Sequence, residues 1–277
     1  MNKILVTTDL SSNSKSGLMF AIQLALQNSY ELTFFHSYYI MKPTTWSAKS
    51  FGEYEKREVA KIEAKFHKFV ESVYKSMGIR SEVIHYAIKK AISPGKNIRS
   101  YAKENGYDFI CISTRGAGKL KKVLGTNSST LINTSSVPVI VVPSNYRSKK
   151  LATILYASDL SNIDKELKKV VNFAKPLGAK IEIIHFNYPA EAKITSSSLD
   201  KSINRHPEQK IKIHLENINL AKSLLQNIEE VVKNTKPSMM VMFTQQNRGF
   251  FQKIFFASNS AEYSFNSRVP LLVFTKT

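Results

Sequence analysis

The chain of 277 residues is 43% hydrophobic and 22% charged, and it has a single cysteine, Cys111. This composition is typical of a globular protein and excludes a disordered chain; one cysteine excludes an intrachain disulfide and fits a reducing, cytoplasmic compartment. No run reaches the ~18 apolar residues of a membrane span, so we expect no membrane partner. The net charge of +19 is spread too evenly to predict a specific nucleic-acid surface.

Short apolar runs alternate with helical patterns along the first 143 residues. We predict strands over residues 3–8, 32–36, 82–87, 109–113 and 137–142. Helices are predicted over 15–27, along an apolar stripe from 59 to 77, after Ser-Pro-Gly at 93–95 and after Gly125, with an irregular excursion over 40–52. Apolar strands that alternate with helices indicate a parallel sheet covered by helices on both faces.

The same order of landmarks returns in the second half of the chain. Residues 4–11 return as 154–161, 34–36 as 183–185, 125–128 as 257–260, and 136–142 as 268–274. A repeat of half the chain indicates two copies of one domain rather than a short-period solenoid. We therefore predict a first domain over 1–143, a polar linker over 144–150 and a second domain over 151–277, with a mobile loop at 189–208.

One glycine-rich segment of the first copy has the composition of an anion site. Residues 113–119 read Ser-Thr-Arg-Gly-Ala-Gly-Lys, and residues 125–128 read Gly-Thr-Asn-Ser at a predicted helix start. Glycines let the backbone approach an anion, and a helix N-terminus offers unpaired N–H groups to phosphate oxygens. The segment is neither a P-loop, because Leu120 follows Lys119, nor a dinucleotide fingerprint, because it follows the fourth strand.

Both copies resemble the universal stress protein family. The resemblance rests on the tandem arrangement, the Thr-Asp that ends the first strand, the glycine loop after the fourth strand and the closing Ser-Val-Pro-Val-Ile-Val-Val. It implies two open-twisted parallel five-stranded α/β sheets of the Rossmann-like, adenine-nucleotide alpha-hydrolase-like class. It also implies that the copies pack as an intrachain pseudo-dimer through the closing strands at 137–142 and 269–274.

The resemblance further implies a site for ATP or a related nucleotide in the first copy. In ATP-binding members the loop reads Gly-x2-Gly-x9-Gly-[Ser/Thr], and an Asp at the end of strand one lies beside the adenosine. Carried onto this sequence, the cofactor-binding residues are Thr7, Thr8, Asp9, Ser37, Ile112, Ser113, Gly116, Gly118, Gly125, Thr126, Asn127 and Ser128.

Two departures from the family pattern leave the first site open and argue against a second one. Ser113 replaces the first glycine, and eight residues rather than nine separate Gly116 from Gly125, so Gly118 would take the close-approach position. In the second copy Ala257 replaces the last glycine, and four phenylalanines at 250, 251, 255 and 256 crowd the loop. We therefore expect nucleotide binding in the first copy alone.

The remaining chemistry-bearing residues predict structural roles. His36 and His185 end core strands, where a hydrogen-bonded structural histidine is expected, and Cys111 lies in an apolar strand as an inert core thiol. Asp9 and Asp159 either contact a ribose or base or cap the following helix. The other histidines lack metal-ligand spacing, so we expect no metal, and without a nucleophile paired with a base we expect at most slow ATP hydrolysis.

Two functional hypotheses follow. The first is a stress-response or signalling module that binds ATP or a related nucleotide without fast catalysis. The alternative is a nucleotide-independent scaffold that recognises a protein partner or an apolar ligand through the phenylalanine-rich second copy. The sequence leaves open whether the chain dimerises further.

Overall fold

A computed structural model of the chain describes residues 2–80, 83–114, 126–189, 195–243 and 269–275. The first half contains strands β1 (Lys3–Thr7), β2 (Glu31–Tyr38), β3 (His85–Lys90), β4 (Phe109–Ser113) and β5 (Val139–Val142). Its helices are α1 (Lys15–Gln27), α2 (Ala48–Ser76), α3 (Pro94–Glu104) and α4 (Thr126–Thr134).

The second half repeats this order. Its strands are β6 (Thr153–Ala157), β7 (Lys180–Asn187), β8 (Ile211–Asn217), β9 (Met239–Phe243) and β10 (Leu271–Phe274). Its described helices are α5 (Ile163–Ala174), α6 (Ser196–Ile203) and α7 (Leu224–Thr235).

All ten strands form one continuous sheet in the order β3-β2-β1-β4-β5-β10-β9-β6-β7-β8. Within each half every strand pair is parallel, and the halves join where β10 pairs antiparallel with β5 at Leu272 and Ile140. The expected parallel five-stranded sheets and their pairing through the closing strands are thereby confirmed. Joining β5 to β10 gives both strands a partner at what would otherwise be an open sheet edge.

The sheet buries one apolar cluster on each face, because successive side chains of a strand point to opposite faces. Ile4 and Val6 of β1 belong to one cluster, and Leu5 belongs to the other. Both clusters continue from β5 into β10 without interruption. The two halves therefore share a core on each face of the sheet.

The end of α1 adds a polar contact between the halves. The side-chain amide of Gln27 donates to the carbonyls of Leu151 (2.7 Å) and Leu177 (2.9 Å) and accepts from the N–H of Leu151 (2.9 Å). Nearby, the buried ring of Tyr146 packs edge-on against Phe20 at 5.4 Å. The segment at 144–150 is thus held against α1 by apolar and hydrogen-bonded contacts.

Three predicted element boundaries are wrong. Helix α2 begins at Ala48, inside the predicted excursion, because Ser47 caps it and Phe51 is buried. Strand β3 begins at His85 rather than residue 82, because its register with β2 pairs His85 with Thr33 and extends through Lys90. The predicted loop at 189–208 contains α6, which buries Leu199; residues 190–194 of that loop lie outside the described ranges.

Candidate functional site

A cleft opens beyond the carboxyl ends of β1, β2 and β4, where open parallel sheets bind their ligands. Strand order changes direction between β1 and β4, so the loops that follow these two strands diverge there. The cleft encloses about 160 Å³ and is lined by Thr7, Thr8, Asp9, Ser11, Asn13, Ser14, Phe35, Ser37, Pro94, Ile98, Ile112, Ser113, Thr114 and Ser128. Seven of the twelve residues predicted for the site are among them.

The five other predicted residues cannot be placed in the same way. Thr126 and Asn127 begin α4, but only their backbone is described. Gly116, Gly118 and Gly125 lie outside the described residues, as do the phenylalanines at 250, 251, 255 and 256 and Ala257.

The hydroxyls at the end of β1 hold the turn into α1. Thr7 Oγ1 donates to the carbonyl of Cys111 at 3.3 Å, which links β1 to β4. Thr8 Oγ1 lies 2.7 Å from Ser14 Oγ and accepts from the N–H of Leu10 at 3.0 Å. These side chains therefore shape the floor of the cleft through contacts within the protein.

Asp9 belongs to a tight turn rather than to a helix cap. Its Oδ1 accepts from the N–H of Ser11 at 3.0 Å, and α1 begins later, at Lys15. The intervening Leu10 is left-handed, with φ of 61°, a conformation that costs a leucine roughly 1–2 kcal/mol. Leu160 repeats it in the second half, with φ of 63°, where Asp159 Oδ1 accepts from Ser161. The capping interpretation of both aspartates is thus wrong.

The Asp9 carboxyl faces the cleft as an anion at neutral pH. Burial raises the pKa of this carboxyl, but hydrogen bonds from the hydroxyl and N–H of Ser11 outweigh burial, so the net pKa lies below its ordinary value. A carboxylate can accept hydrogen bonds from ribose hydroxyls or a base amino group, but it would repel a phosphate.

Ser113, which stands where the family has a glycine, turns its side chain toward α1. Its Oγ accepts from the N–H of Gly17 at 2.7 Å, donates to the carbonyl of Ser14 at 3.0 Å and lies 3.2 Å from Ser16 Oγ. The hydroxyl is therefore occupied by the start of α1. The same contact requires a glycine at position 17, where a Cβ would lie 2.5 Å from Ser113 Oγ.

The opposite wall is formed by β2 and α3. Ser37 Oγ accepts from the side-chain amide of Asn97 at 3.0 Å, and Pro94 and Ile98 of α3 add apolar surface. His36 points to the other face of the sheet, where its Nδ1 lies 2.9 Å from the carbonyl of Thr8. His185 repeats this contact with Ser158 at 3.0 Å. Both histidines tie two neighbouring strands together at their ends.

Sequence reasoning missed seven residues of the lining, among them Ser14, and two residues that bond the lining from behind, Gly17 and Asn97. Gly17 and Asn97 act through Ser113 and Ser37, and Ser14 bonds Thr8. No spacing motif marks them, because their partners lie 96, 60 and 6 residues away along the chain. The one sequence signal near them is the polar run at 11–16, which is longer than a single helix cap requires.

The equivalent position in the second half is apolar. Strand β9 pairs with β6 in the register that β4 has with β1, so Phe243 occupies the place of Ser113. By the same argument Phe186 replaces Ser37, and Ala157 replaces Thr7. Phe243 is buried and stacks on Phe274 at 5.1 Å. The polar lining of the first cleft thus has no counterpart at these positions.

A buried hydrogen-bond network stands beside Phe243. The Tyr156 hydroxyl donates to the Glu166 carboxylate and accepts from Ser158 Oγ at 2.9 Å. Burial, together with the adjacent Glu166, raises the pKa of Tyr156 well above its ordinary value, so the hydroxyl keeps its proton. Glu166 lies in α5 and is equivalent to Ser16 of α1, because the repeat offset of 150 residues pairs these two positions. The second half has therefore filled this region with its own side chains.

Three further features of the described residues bear on metal binding, membrane spanning and thiol reactivity. Within the described ranges, no cluster of three or more His, Cys, Asp or Glu side chains could hold a metal ion, and no helix there combines the length and apolarity needed to cross a bilayer. Cys111 is fully buried, and burial raises the pKa of its thiol far above the ordinary value.

The sheet order, the pairing of halves and the cleft at the switch in strand order define an adenine nucleotide alpha hydrolase-like α/β fold. Residues 1–143 match the Universal stress protein family, and the chain belongs to that family. The second half repeats the strand order and register of the first.

Individual proteins resemble this chain in sequence or in fold. Universal stress protein YxiE of Bacillus subtilis (strain 168) is 30% identical over 149 residues, which cover 51% of this chain and 98% of that protein. The crystal structure of a universal stress protein from Archaeoglobus fulgidus DSM 4304 has a TM-score of 0.69 at 20% identity, covering 99% of this chain and 98% of that one. A functionally unknown protein from Pseudomonas aeruginosa PAO1 has a TM-score of 0.56 at 13% identity, covering 99% and 92%.

Proposed function

We propose that the first half binds ATP or a related adenine nucleotide and that the chain works as a stress-response or signalling module. The convergence of seven predicted residues from β1, β2, β4 and α4 on one cleft supports this proposal most directly. Asp9 and Ser37 offer polar contacts to a nucleoside, while Pro94 and Ile98 offer apolar surface to a base.

The position of Ser113 removes one objection to this proposal. A side chain in place of the family's glycine would obstruct the loop if it pointed toward the phosphates. The Ser113 hydroxyl is instead held by the N–H of Gly17 and the carbonyl of Ser14 near the start of α1, which supports a loop that remains open to phosphates.

We further propose that the site retains its nucleotide without fast hydrolysis. Among the described cleft residues, the hydroxyls of Thr7, Thr8 and Ser113 are engaged within the protein, and His36 lies on the other face of the sheet, bonded to a carbonyl. The one carboxylate in this described lining, Asp9, is bonded by Ser11 and has a lowered pKa, which makes it a weak base, so we expect no fast hydrolysis.

Thermal unfolding with and without ATP, followed by calorimetric titration, tests the proposal. A ligand that binds only the native state at a hundredfold excess over its Kd stabilises that state by about 2.7 kcal/mol. Ser37→Phe copies the residue of the second half into the cleft and should abolish the ATP effect. Asp159→Asn, in the equivalent turn of the second half, is the matched control and should leave it unchanged.

The alternatives are distinguishable. Equal ATP binding by wild type and Ser37→Phe would move the site away from this cleft. No stabilisation of the wild type at millimolar ATP would contradict nucleotide binding and favour the scaffold hypothesis.

A further inference from the structure

Exposed apolar side chains are concentrated at one rim of the first half. Seven large apolar side chains are strongly exposed among the described residues, and four of them lie in two loops after β2 and β3. Their exposed fractions are 49% for Tyr39, 73% for Met41, 38% for Trp46 and 80% for Ile92. We call these four residues the rim patch. The other three are Leu26, Val83 and Leu220.

The two loops of the rim patch are neighbours. The N–H of Ala91 donates to the carbonyl of Tyr38 at 2.8 Å, so Ile92 and Tyr39 follow one shared hydrogen bond. A turn brings the N–H of Trp46 to the carbonyl of Pro43 at 3.1 Å, and the indole packs edge-on against Tyr54 at 5.1 Å. The loop backbone is therefore fixed while these side chains project from it.

Positive charge surrounds the rim patch. Residues 39–50 and 89–97 contain five lysines and no acidic residue: Lys42, Lys49, Lys89, Lys90 and Lys96. Lys90 is paired with Glu55 of α2 at 2.5 Å and lies over the Phe51 ring. Lys42, Lys49, Lys89 and Lys96 form no ion pair among the described residues, and all four are exposed. A second copy of the chain would bring like charges together, so self-association through this surface is disfavoured.

We propose that the rim patch docks the protein on the surface of an anionic lipid bilayer. Met41 and Ile92 are the most exposed of the four side chains and would supply apolar surface to the lipid interface. Trp and Tyr favour the headgroup level, and lysines are attracted to anionic headgroups. This inference goes beyond nucleotide binding and does not depend on it. It revises the expectation of no membrane partner, which considered only spanning segments.

Trp46 is the only tryptophan of the chain, so its fluorescence reports on the rim patch alone. We would titrate the full chain with phosphatidylcholine vesicles, with and without 30% phosphatidylglycerol (about a third of the lipid, to give a clear surface potential), at low and high salt. The expected result is a blue shift of Trp46 and co-sedimentation with anionic vesicles only, both weakened by salt.

Paired variants separate docking from general charge attraction. Met41→Ser with Ile92→Ser should weaken vesicle binding by about tenfold or more, whereas Leu26→Ser with Leu220→Ser should not. Lys42→Gln with Lys49→Gln should weaken it by about tenfold. Lys165→Gln with Lys168→Gln removes the same charge from exposed positions of α5 and should have little effect.

Three results would overturn the proposal: no blue shift with anionic vesicles at low salt; equal loss of binding in the variants and their controls; or a Trp46 blue shift with polyglutamate but not with vesicles. The last would identify an acidic protein segment as the partner.

Discussion

At the scale of residues, Ser113 and Gly17 fit closely together beneath the cleft. The serine hydroxyl accepts from the Gly17 N–H, and the missing Cβ at position 17 makes room for it. The pair lies under the cleft, so its packing fixes the distance between the start of α1 and the end of β4.

Gly17→Ala should destabilise the protein by about 1–3 kcal/mol. The new Cβ would lie 2.5 Å from Ser113 Oγ and 3.2 Å from the backbone nitrogen of Ser113. Urea unfolding measures the change. Gly52→Ala is the matched control: nothing lies within 4 Å of that Cβ, and alanine favours a helix, so stability should rise by up to about 1 kcal/mol. Equal effects of the two substitutions would contradict the contact.

Asp9 should make stability depend on acid pH. Its pKa is lowered on folding, so its contribution is present above the unfolded pKa of about 3.9 and is lost as pH falls through the lower folded value. Asp9→Asn can keep the turn but not the charge. The free energy of unfolding of this variant should therefore fall less than that of the wild type between pH 5 and about 2. If the free energy of unfolding fell equally with pH in Asp9→Asn and in the wild type, Asp9 would not be the group responsible.

Lys236 ends α7 with a left-handed backbone, φ 47°, and its side chain is exposed. Lys236→Gly should raise stability by about 0.5–1 kcal/mol, because glycine adopts this conformation without the cost of a Cβ. Lys233→Gly, one turn earlier within the helix, should instead lower stability by about 1 kcal/mol. Both are measured by urea unfolding.

At the scale of elements, α1 serves both halves of the molecule. Its first turn supports the cleft through Gly17, and its last residue, Gln27, bonds the backbone of Leu151 and Leu177. The same helix therefore contacts both the floor of the cleft and the second half.

Gln27→Ala should cost about 2–4 kcal/mol, since it leaves the buried backbone groups of Leu151 and the carbonyl of Leu177 without their partner. Gln23→Ala is the control one turn earlier, because Gln23 makes one bond, 3.1 Å to exposed Ser148. Its cost should stay below about 1 kcal/mol. A Gln27→Ala cost no larger than the control would exclude a joining role.

At the scale of the whole molecule, the two halves differ at equivalent positions beyond their strand ends. The first half keeps a polar cleft, and the second fills the equivalent place with Phe243, Phe186 and the Tyr156–Glu166 network. The halves remain inseparable in packing, because both apolar clusters run across the junction of β5 and β10. The proposed domain boundaries at 143 and 151 separate the two copies of the repeat, but the apolar core is shared by both copies.

A fragment of residues 1–150 should accordingly self-associate. It would expose the β5 edge and the apolar surface that β10 covers, and an open strand edge pairs with another copy. Light scattering after size exclusion should give twice the fragment mass or larger species. A stable monomeric fragment, as resistant to urea as the full chain, would show that the halves fold independently.

The sequence by itself determined the repeat and the five-stranded parallel scheme, because the spacing of apolar residues is a local signal. The candidate site residues came from the family resemblance, and seven of those twelve line the first cleft. The bounds predicted from sequence are wrong at α2, β3 and α6. Their observed bounds depend on a helix cap, on strand register and on tertiary burial, respectively. Only the tertiary structure decided that the Ser113 hydroxyl bonds the start of α1, that Asp9 closes a turn rather than caps a helix, and that apolar side chains of two separate loops share one basic rim. These outcomes depend on contacts between residues far apart in sequence, which no local pattern encodes.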